Sequence, residues 1–284
     1  TEQEFLQSYR ISDFERPSLA ADIALFTLQR KQEDIRGIDI SGIQILLIKR
    51  ANHPYINHWA LPGGFCIPSE SIQKTARREL TEETGVSDTY LKLTGTYSAK
   101  DRDPRGWIIS NTFTGMVHKE DCHLRADTDA WDAVWFTIEE IDGKRKELSE
   151  QEYEVTYHMV LVSEETEERL ETEFKMHCVM HKTYMERTFF SIKSDLAFDH
   201  GVIIGETYLN LKHEIRADIR TIFNFFPEKF TLGEIKKAYE VMFDTTDTNF
   251  RRMVKPYVTE TEETAAILAH RPAKYYVRNA KSFL

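Results

Sequence analysis

The chain has 284 residues, 41% hydrophobic and 12% aromatic, with 37 Lys plus Arg against 47 Asp plus Glu for a formal net charge of −10. That is apolar material enough for a sizeable core and for one large domain or two smaller ones, and it excludes wholesale disorder and low-complexity scaffolds. No apolar run approaches the ~18 residues of a membrane span, and residues 1–10 lack the basic start and apolar stretch of a secretory signal; a soluble cytoplasmic protein with no membrane partner is expected, with Cys66, Cys122 and Cys178 as reduced thiols.

In chain order, Ala21 to Leu28 and Ile43 to Ile48 are short Ile- and Leu-rich runs bounded by charged or Gly-containing segments, as strands of a parallel or mixed sheet are. Glu70 to Thr84 is the clearest helix of this half, and Tyr90 to Tyr97, Trp107 to Val117 and Ala133 to Thr137 add strands. From Gly143 to about Phe190 the chain is highly charged, yet Tyr153 to Val162 and Glu173 to Met185 are strand-like around a Glu-rich turn, which predicts an inserted hairpin. His177, Cys178 and His181 fall inside it. In a strand 177 and 181 face one way and 178 the other, and the spacing matches no zinc motif, so these are read as solvated strand side chains.

The charge character changes along the chain. Residues 211–284 carry 13 Lys plus Arg and 10 Asp plus Glu, a net +3 against −13 for everything before them, which suggests two domains, placed at 1–205 and 206–284. Leu211, Ile215, Ile219, Ile222 and Phe226 form one helical stripe that Pro227 stops, a helix bridging the domains. Thr231 with Glu234 is a capping box, and Phe230 with Ile235 a hydrophobic staple, for a second helix. A third runs from about Asp247 to Lys255 with Arg251 and Arg252 on it, followed by a hairpin of Ile267–Leu268 and Lys274 to Val277. Three helices and a hairpin predict a winged helix.

Chemistry concentrates between Gly64 and Val86. On a helix Glu79, Glu82 and Glu83 stand at i, i+3 and i+4, where like charges repel by about 0.2–0.5 kcal/mol per pair. Gly85 ends that helix, which sets Glu82 and Glu83 at the negative end of the macrodipole at a further ~0.3–1 kcal/mol each. A hard divalent cation, Mg²⁺ or Mn²⁺, removes both penalties, because such ions take clustered carboxylate oxygens and add phosphate oxygens from a substrate. A solvated glutamate-rich face is the competing account of the triplet alone.

The full spacing of Gly64, Glu70, Arg78, Glu79, Leu80, Glu82, Glu83, Gly85 and Val86 resembles the signature of the Nudix hydrolase family, with a chance match on the order of 10⁻⁸ at a given start. His58 to Phe65 and Trp135-Phe136 ahead of Glu139 and Glu140 are similar to the family as well, so that the resemblance covers roughly Ala20 to Glu140. It implies an α+β fold in which an α/β/α sandwich with a mixed sheet precedes the winged helix. It also implies that Glu79, Glu82 and Glu83 ligate metal, with the Gly64 carbonyl as a further ligand, Glu70 in support and Arg78 holding the glutamates in register. The general base varies in the family; Glu139, Glu140 and Asp129 are its candidates here. The loop Asp101 to Gly106 resembles one in members acting on ADP-ribose, where Arg102 and Arg105 would bind phosphate, and Leu196 to His200 resembles the same subgroup.

The C-terminal segments Phe230 to Glu234, Asn249 to Arg252 and Arg271 to Ala273 resemble those of NrtR-type regulators of NAD metabolism, in which the Nudix box is commonly degraded. Here it is intact. The primary expectation is therefore a hydrolase releasing AMP and ribose 5-phosphate from ADP-ribose, and the alternative a homodimeric regulator that senses such a nucleotide and binds DNA through Arg251 and Arg252. Pro256, which would shorten or kink the third helix, and Glu260, Glu262 and Glu263 before the wing weigh against DNA binding.

Overall fold

A computed structural model describes residues 1–33, 37–87, 89–122, 124, 130–246, 248–265 and 273–282. After a short helix α1 (Glu2–Ser8), strands β1 (Ser18–Glu33) and β2 (Gly37–Arg50) form a long antiparallel pair. The short β3 (Trp59–Ala60) and β4 (Gly63–Phe65) pair with β2 and β1 and lead into α2 (Ile72–Thr84). Then follow β5 (Tyr90–Tyr97), β6 (Ile108–Met116), β7 (Ala130–Glu147), β8 (Glu152–Val162), β9 (Arg169–Met180) and β10 (Met185–Ser194). These strands build a ten-stranded sheet in the order β10-β9-β8-β7-β2-β1-β6-β5, with β1–β6 its parallel pair, so the sheet is mixed as expected.

The period of two along β1 makes the layers. Ala21, Ile23 and Leu25 face α2, where Ala76, Leu80 and Val86 pack with Phe113 and Trp135. Ala24, Phe26 and Leu28 face the opposite way, into a core closed by α3 (His200–Ala217) and by the C-terminal module. Helices on both faces of one sheet give the α/β/α sandwich.

The expected hairpin is present, β8 antiparallel to β9 around the Glu-rich turn, and it is joined to the main sheet. β7 runs straight through Gly143 and pairs with β8 down to Glu147 opposite Tyr153, and β9 and β10 continue the same sheet as an antiparallel meander. Strict alternation on β9 buries Leu170, Thr172, Phe174, Met176 and Cys178, so Cys178 is a core residue rather than a solvated one. His181 pairs with Glu186 at 3.2 Å, and among the described residues no group of three His, Cys, Asp or Glu has metal-ligating geometry.

The apolar stripe from Leu211 to Phe226 is core throughout, but it is not one helix. α3 begins earlier, at His200, and stops at Asp218, whose extended backbone starts a 3₁₀ turn, Ile219–Phe225. The Asp218 carboxylate accepts the Arg220 N–H at 3.0 Å and is clasped by the Arg220 guanidinium at 2.7–2.9 Å, a local alternative that outcompetes helical bonding. The 205/206 boundary thus falls inside α3.

Beyond it come β11 (Lys229–Thr231), α4 (Leu232–Phe243), α5 (Phe250–Val254), β12 (Val258–Ala265) and β13 (Ala273–Arg278). The capping box is complete: Thr231 Oγ1 accepts from Glu234 N–H at 3.2 Å, and Glu234 accepts from Thr231 N–H at 2.9 Å, over the buried pair Phe230 and Ile235. The third helix is shorter than predicted: it starts only at Phe250 and gives way at Lys255 to a 3₁₀ turn, Lys255–Tyr257, that holds Pro256. The wing strand before β13 is β12, starting at Val258; Ile267–Leu268 and the Arg271-Pro272 turn lie outside the described residues. No helix among the described residues is long and apolar enough to cross a membrane.

Candidate active site and nucleic-acid interface

Three consecutive segments converge at one end of β1. β4 lies against β1 with Gly63 opposite Asp22 and Gly64 opposite Ala21. Gly63 has φ of 152°, and a Cβ there would strike the Ala21 carbonyl. A Cβ on Gly64 would occupy the place of the Glu79 carboxylate, so these glycines let α2 bring its carboxylates against the strand. α2 starts at Ile72 rather than Glu70, capped by Ser71 accepting from Lys74 N–H at 3.3 Å, and ends as the sequence predicts at Gly85, in the left-handed region at φ 72°.

Arg78 is the hub of the carboxylates. Its Nε donates to Glu70 at 2.9 Å, its Nη1 to Glu79 at 2.7 Å and to Glu82 at 3.1 Å, and its Nη2 to the Phe65 carbonyl at 3.3 Å. The hydrogen bonds from Arg78 hold Glu70 below the ordinary carboxylate range, and chiefly these same bonds to Glu70 raise Arg78 further. Glu70 is thus bound to Arg78 and to the Thr75 hydroxyl at 3.1 Å. Burial pushes Glu79 up despite Arg78. Glu83 lies deepest. Burial, then the charge of Glu79, push it up to about 8, and its buried Oε2 has no hydrogen-bond partner.

An orphaned buried carboxylate oxygen beside a second carboxylate is what a divalent cation satisfies, and the hard oxygen donors of Glu79, Glu82, Glu83 and the Gly64 carbonyl suit one. These oxygens are of the type such an ion takes, although as they stand, with Glu79 and Glu82 turned to Arg78, no three carboxylates among the described residues are grouped to ligate one.

The adjoining cavity holds ≈ 230 Å³ and is lined by Asp22, Arg50, Gly63, Gly64, Arg102, Arg105, Phe198 and His200, among others. Arg102 is only 4% exposed and makes two hydrogen bonds to Asp199, at 2.9 and 2.6 Å, with Asp22 at 3.9 Å. The Leu61 N–H donates to His200 Nδ1 at 2.8 Å, which leaves the proton of the neutral ring on Nε2, 3.8 Å from Asp22. Burial lowers the pKa of His200, in keeping with a neutral ring. Arg105 is more accessible. It is anchored by Asp103 at 2.7 Å and lies 5.1 Å from the Phe65 ring centre and 5.2 Å from that of Phe198. Arg50 covers Phe198 as well, at 4.8 Å, and burial together with the Arg105 charge lowers its pKa. Two guanidiniums are held over one ring at the cavity, Arg105 partly neutralised by Asp103, a cationic setting suited to a diphosphate.

Arg102 and Arg105 therefore meet at the cavity, Arg105 accessible to a ligand and Arg102 committed to Asp199. Asp22 and Arg50 are absent from the sequence reading; each is one charged residue at the margin of an apolar strand, and only the register exposes its role. Glu139 is elsewhere: it pairs with Arg169 at 3.4 Å and lines a different cleft with Gln29, Tyr208 and Met242. Asp129 and the Glu140 side chain lie outside the described residues.

A second surface sits on the C-terminal module. Arg251 and Arg252 are exposed on α5, and among the described residues neither is ion-paired. The acidic stretch that argued against nucleic acid is partly neutralised: Glu260 pairs with Lys274 at 2.7 Å and Glu263 with Lys229 at 2.6 Å.

Comparison with known proteins agrees with this division. The NUDIX domain family model matches residues 31–159, and the NrtR DNA-binding winged helix domain matches residues 222–277. The ADPR responsive transcriptional repressor NtrR of Acinetobacter baylyi is 26% identical over 281 residues, covering 97% of this chain and 88% of the relative. The ADP-ribose pyrophosphatase of Methanocaldococcus jannaschii is 40% identical over 104 residues, 37% of this chain and 60% of that protein. In fold, NrtR of Shewanella oneidensis superposes with a TM-score of 0.59 at 22% identity, over 92% of this chain and 94% of the other.

Proposed function

We propose that this chain, which joins a NUDIX domain to an NrtR-type winged helix, is a DNA-binding regulator that senses ADP-ribose or a closely related nucleoside diphosphate in its Nudix cavity. This reverses the order expected from the sequence, where hydrolysis comes first. The observation that carries it is α3. Asp199, just before its first turn, holds Arg102, and His200 in that turn lines the cavity, while its far end passes through Asp218 into the winged helix. Eighteen helical residues span about 27 Å, so one rigid element links the nucleotide cavity to the DNA-facing module. A second tie runs from β1, which also carries Asp22: Arg30 donates to Glu234 of the α4 capping box at 3.1 Å, and both side chains are largely buried. The match to a nucleotide-responsive repressor over both modules supports the same reading.

On DNA, Arg251 and Arg252 contact phosphate or base edges from α5, and a second copy of the chain occupies the other half-site. The exposed Phe5, Leu6, Ile11 and Phe14 of the N-terminal segment offer apolar surface for that homodimer. The ligand regulates by binding the DNA-competent and incompetent arrangements unequally. Fluorescence anisotropy with DNA from upstream of its own gene and of NAD-metabolism genes, with and without ADP-ribose, tests this. A shift in Kd with ADP-ribose is expected, and DNA binding that is absent or indifferent to every nucleotide offered refutes it.

One observation favours a second activity in the same cavity. The unpartnered Glu83 oxygen beside Glu79 suits Mg²⁺ or Mn²⁺, and the intact box argues for hydrolysis of the sensed nucleotide to AMP and ribose 5-phosphate. The ion would supply a nucleophilic water at neutral pH and neutralise charge developing on the diphosphate. The chain's own residues do the rest: Arg50 and Arg105 hold the phosphates, and Arg78 fixes Glu79 and Glu82. Release of AMP from ADP-ribose with millimolar Mg²⁺ or Mn²⁺ is the assay.

A further inference from the structure

We propose that the cleft walled by Tyr55, Tyr97, Phe189 and Phe198 is the subsite for the nucleobase end of the nucleoside diphosphate, so that the strand meander at the sheet edge reads the base. This rests on the Nudix cavity being a nucleoside-diphosphate site. The first argument is size. The cavity beside the carboxylates holds ≈ 230 Å³, below the roughly 300–1,000 Å³ typical of pockets that enclose whole ligands. The adjacent cleft holds ≈ 580 Å³ and shares Arg102 and Phe198 with it as a common wall.

The second argument is chemistry. On one side Phe198 lies under the guanidiniums of Arg50 and Arg105, the diphosphate side. On the other it meets Tyr55, with ring centres 4.8 Å apart at an interplanar angle of 61°. Both residues have left-handed backbones, φ 60° for Tyr55 and φ 54° for Phe198, conformations that cost bulky side chains energy and persist where surrounding structure imposes them. Tyr55 is exposed, an aromatic face open to stack a planar group. Polar groups follow further in. Tyr97 donates to Glu206 at 2.9 Å, which leaves the carboxylate capacity to accept from an exocyclic amine. Arg187 on β10 also lines the cleft, exposed and without an ion-pair partner among the described residues.

The third argument is where these residues come from. Arg187 and Phe189 belong to β10, and the NUDIX domain match ends at residue 159, before β9 and β10. The meander therefore adds a wall to the cleft that the matched domain does not include.

Isothermal titration of the full chain tests this with three probes, ADP-ribose, AMP and ribose 5-phosphate, on wild type, Tyr55→Ala and Arg187→Ala. Both side chains are exposed, and circular dichroism with a thermal melt verifies that the variants fold. ADP-ribose and AMP are expected to weaken about tenfold in each variant, the loss of one stacking face, while ribose 5-phosphate changes less than about twofold. Wild type that binds no ADP-ribose or relative overturns the cavity reading and this subsite with it. Wild type that binds ADP-ribose, with variants that bind it equally well or lose AMP and ribose 5-phosphate alike, overturns the subsite alone.

Discussion

In the Nudix half, charged side chains are paired with one another: Arg102, almost fully buried, on Asp199, and the more exposed Arg105 on Asp103 and Arg78 on three glutamates. In the winged helix the two arginines proposed to meet DNA, Arg251 and Arg252, stand in solvent without an ion pair among the described residues. Buried networks fix geometry in advance and discriminate small ligands, because moving any member strands its partner in a low dielectric. Exposed cations bind through counterion release, which is strong and tolerant of geometry but steeply dependent on salt. A regulator that reads a small molecule and reports to DNA uses both.

The comparison breaks most sharply at the carboxylates. Glu83→Gln is expected to lower AMP release from ADP-ribose by on the order of 10²-fold or more while DNA affinity without nucleotide stays within about twofold of wild type. Equal loss of both, measured by coupled AMP detection and anisotropy, would show that the two halves are not separable.

The next effect is on stability. Glu83 is pushed up to about 8 in the folded protein, so folding favours its protonated form. The stability this gives is complete below the ordinary carboxylate range and is lost as pH rises towards and through 8; the metal-free protein should lose about 2–4 kcal/mol across that window. Glu83→Gln should flatten the profile, and millimolar Mg²⁺ or Mn²⁺ should restore the alkaline side of the wild-type curve, both read from thermal melts. Glu82→Gln should not stabilise the metal-free protein, contrary to what repulsion on a bare helix suggests. Its side chain is 53% exposed and receives a hydrogen bond from Arg78.

Arg251→Ala with Arg252→Ala sharpens the other side. The slope of log Kd against log salt should flatten by about 1 for each phosphate contact removed, with ADP-ribose affinity unchanged by titration calorimetry. An unchanged slope would move the DNA surface away from α5. Smallest is Thr231→Ala, which removes the cap of α4 and should cost about 1 kcal/mol in a denaturant melt while leaving hydrolysis intact.

Much of this architecture is local in origin and was therefore legible in the sequence. The end of α2 follows from Gly85 and the α4 cap from Thr231 and Glu234, and the strands β5 and β6 fall within one residue at each end of the segments read from the sequence. The glutamate spacing pointed to the carboxylate cluster because helical periodicity alone puts those residues on one face. What the sequence did not determine depends on which segments meet. One exception is local, the break at Asp218, where a clasp with Arg220 two residues on competes with a periodic apolar stripe. The meander reads as an insertion until β7 is seen to pair along its length with β8. Asp22, Arg50 and Phe198 come from β1, the end of β2 and the turn before α3, and become one wall only when the sheet registers and α3 docks. Periodicity and caps act over a few residues, whereas a cavity is made by long-range contacts whose partners are set by tertiary structure.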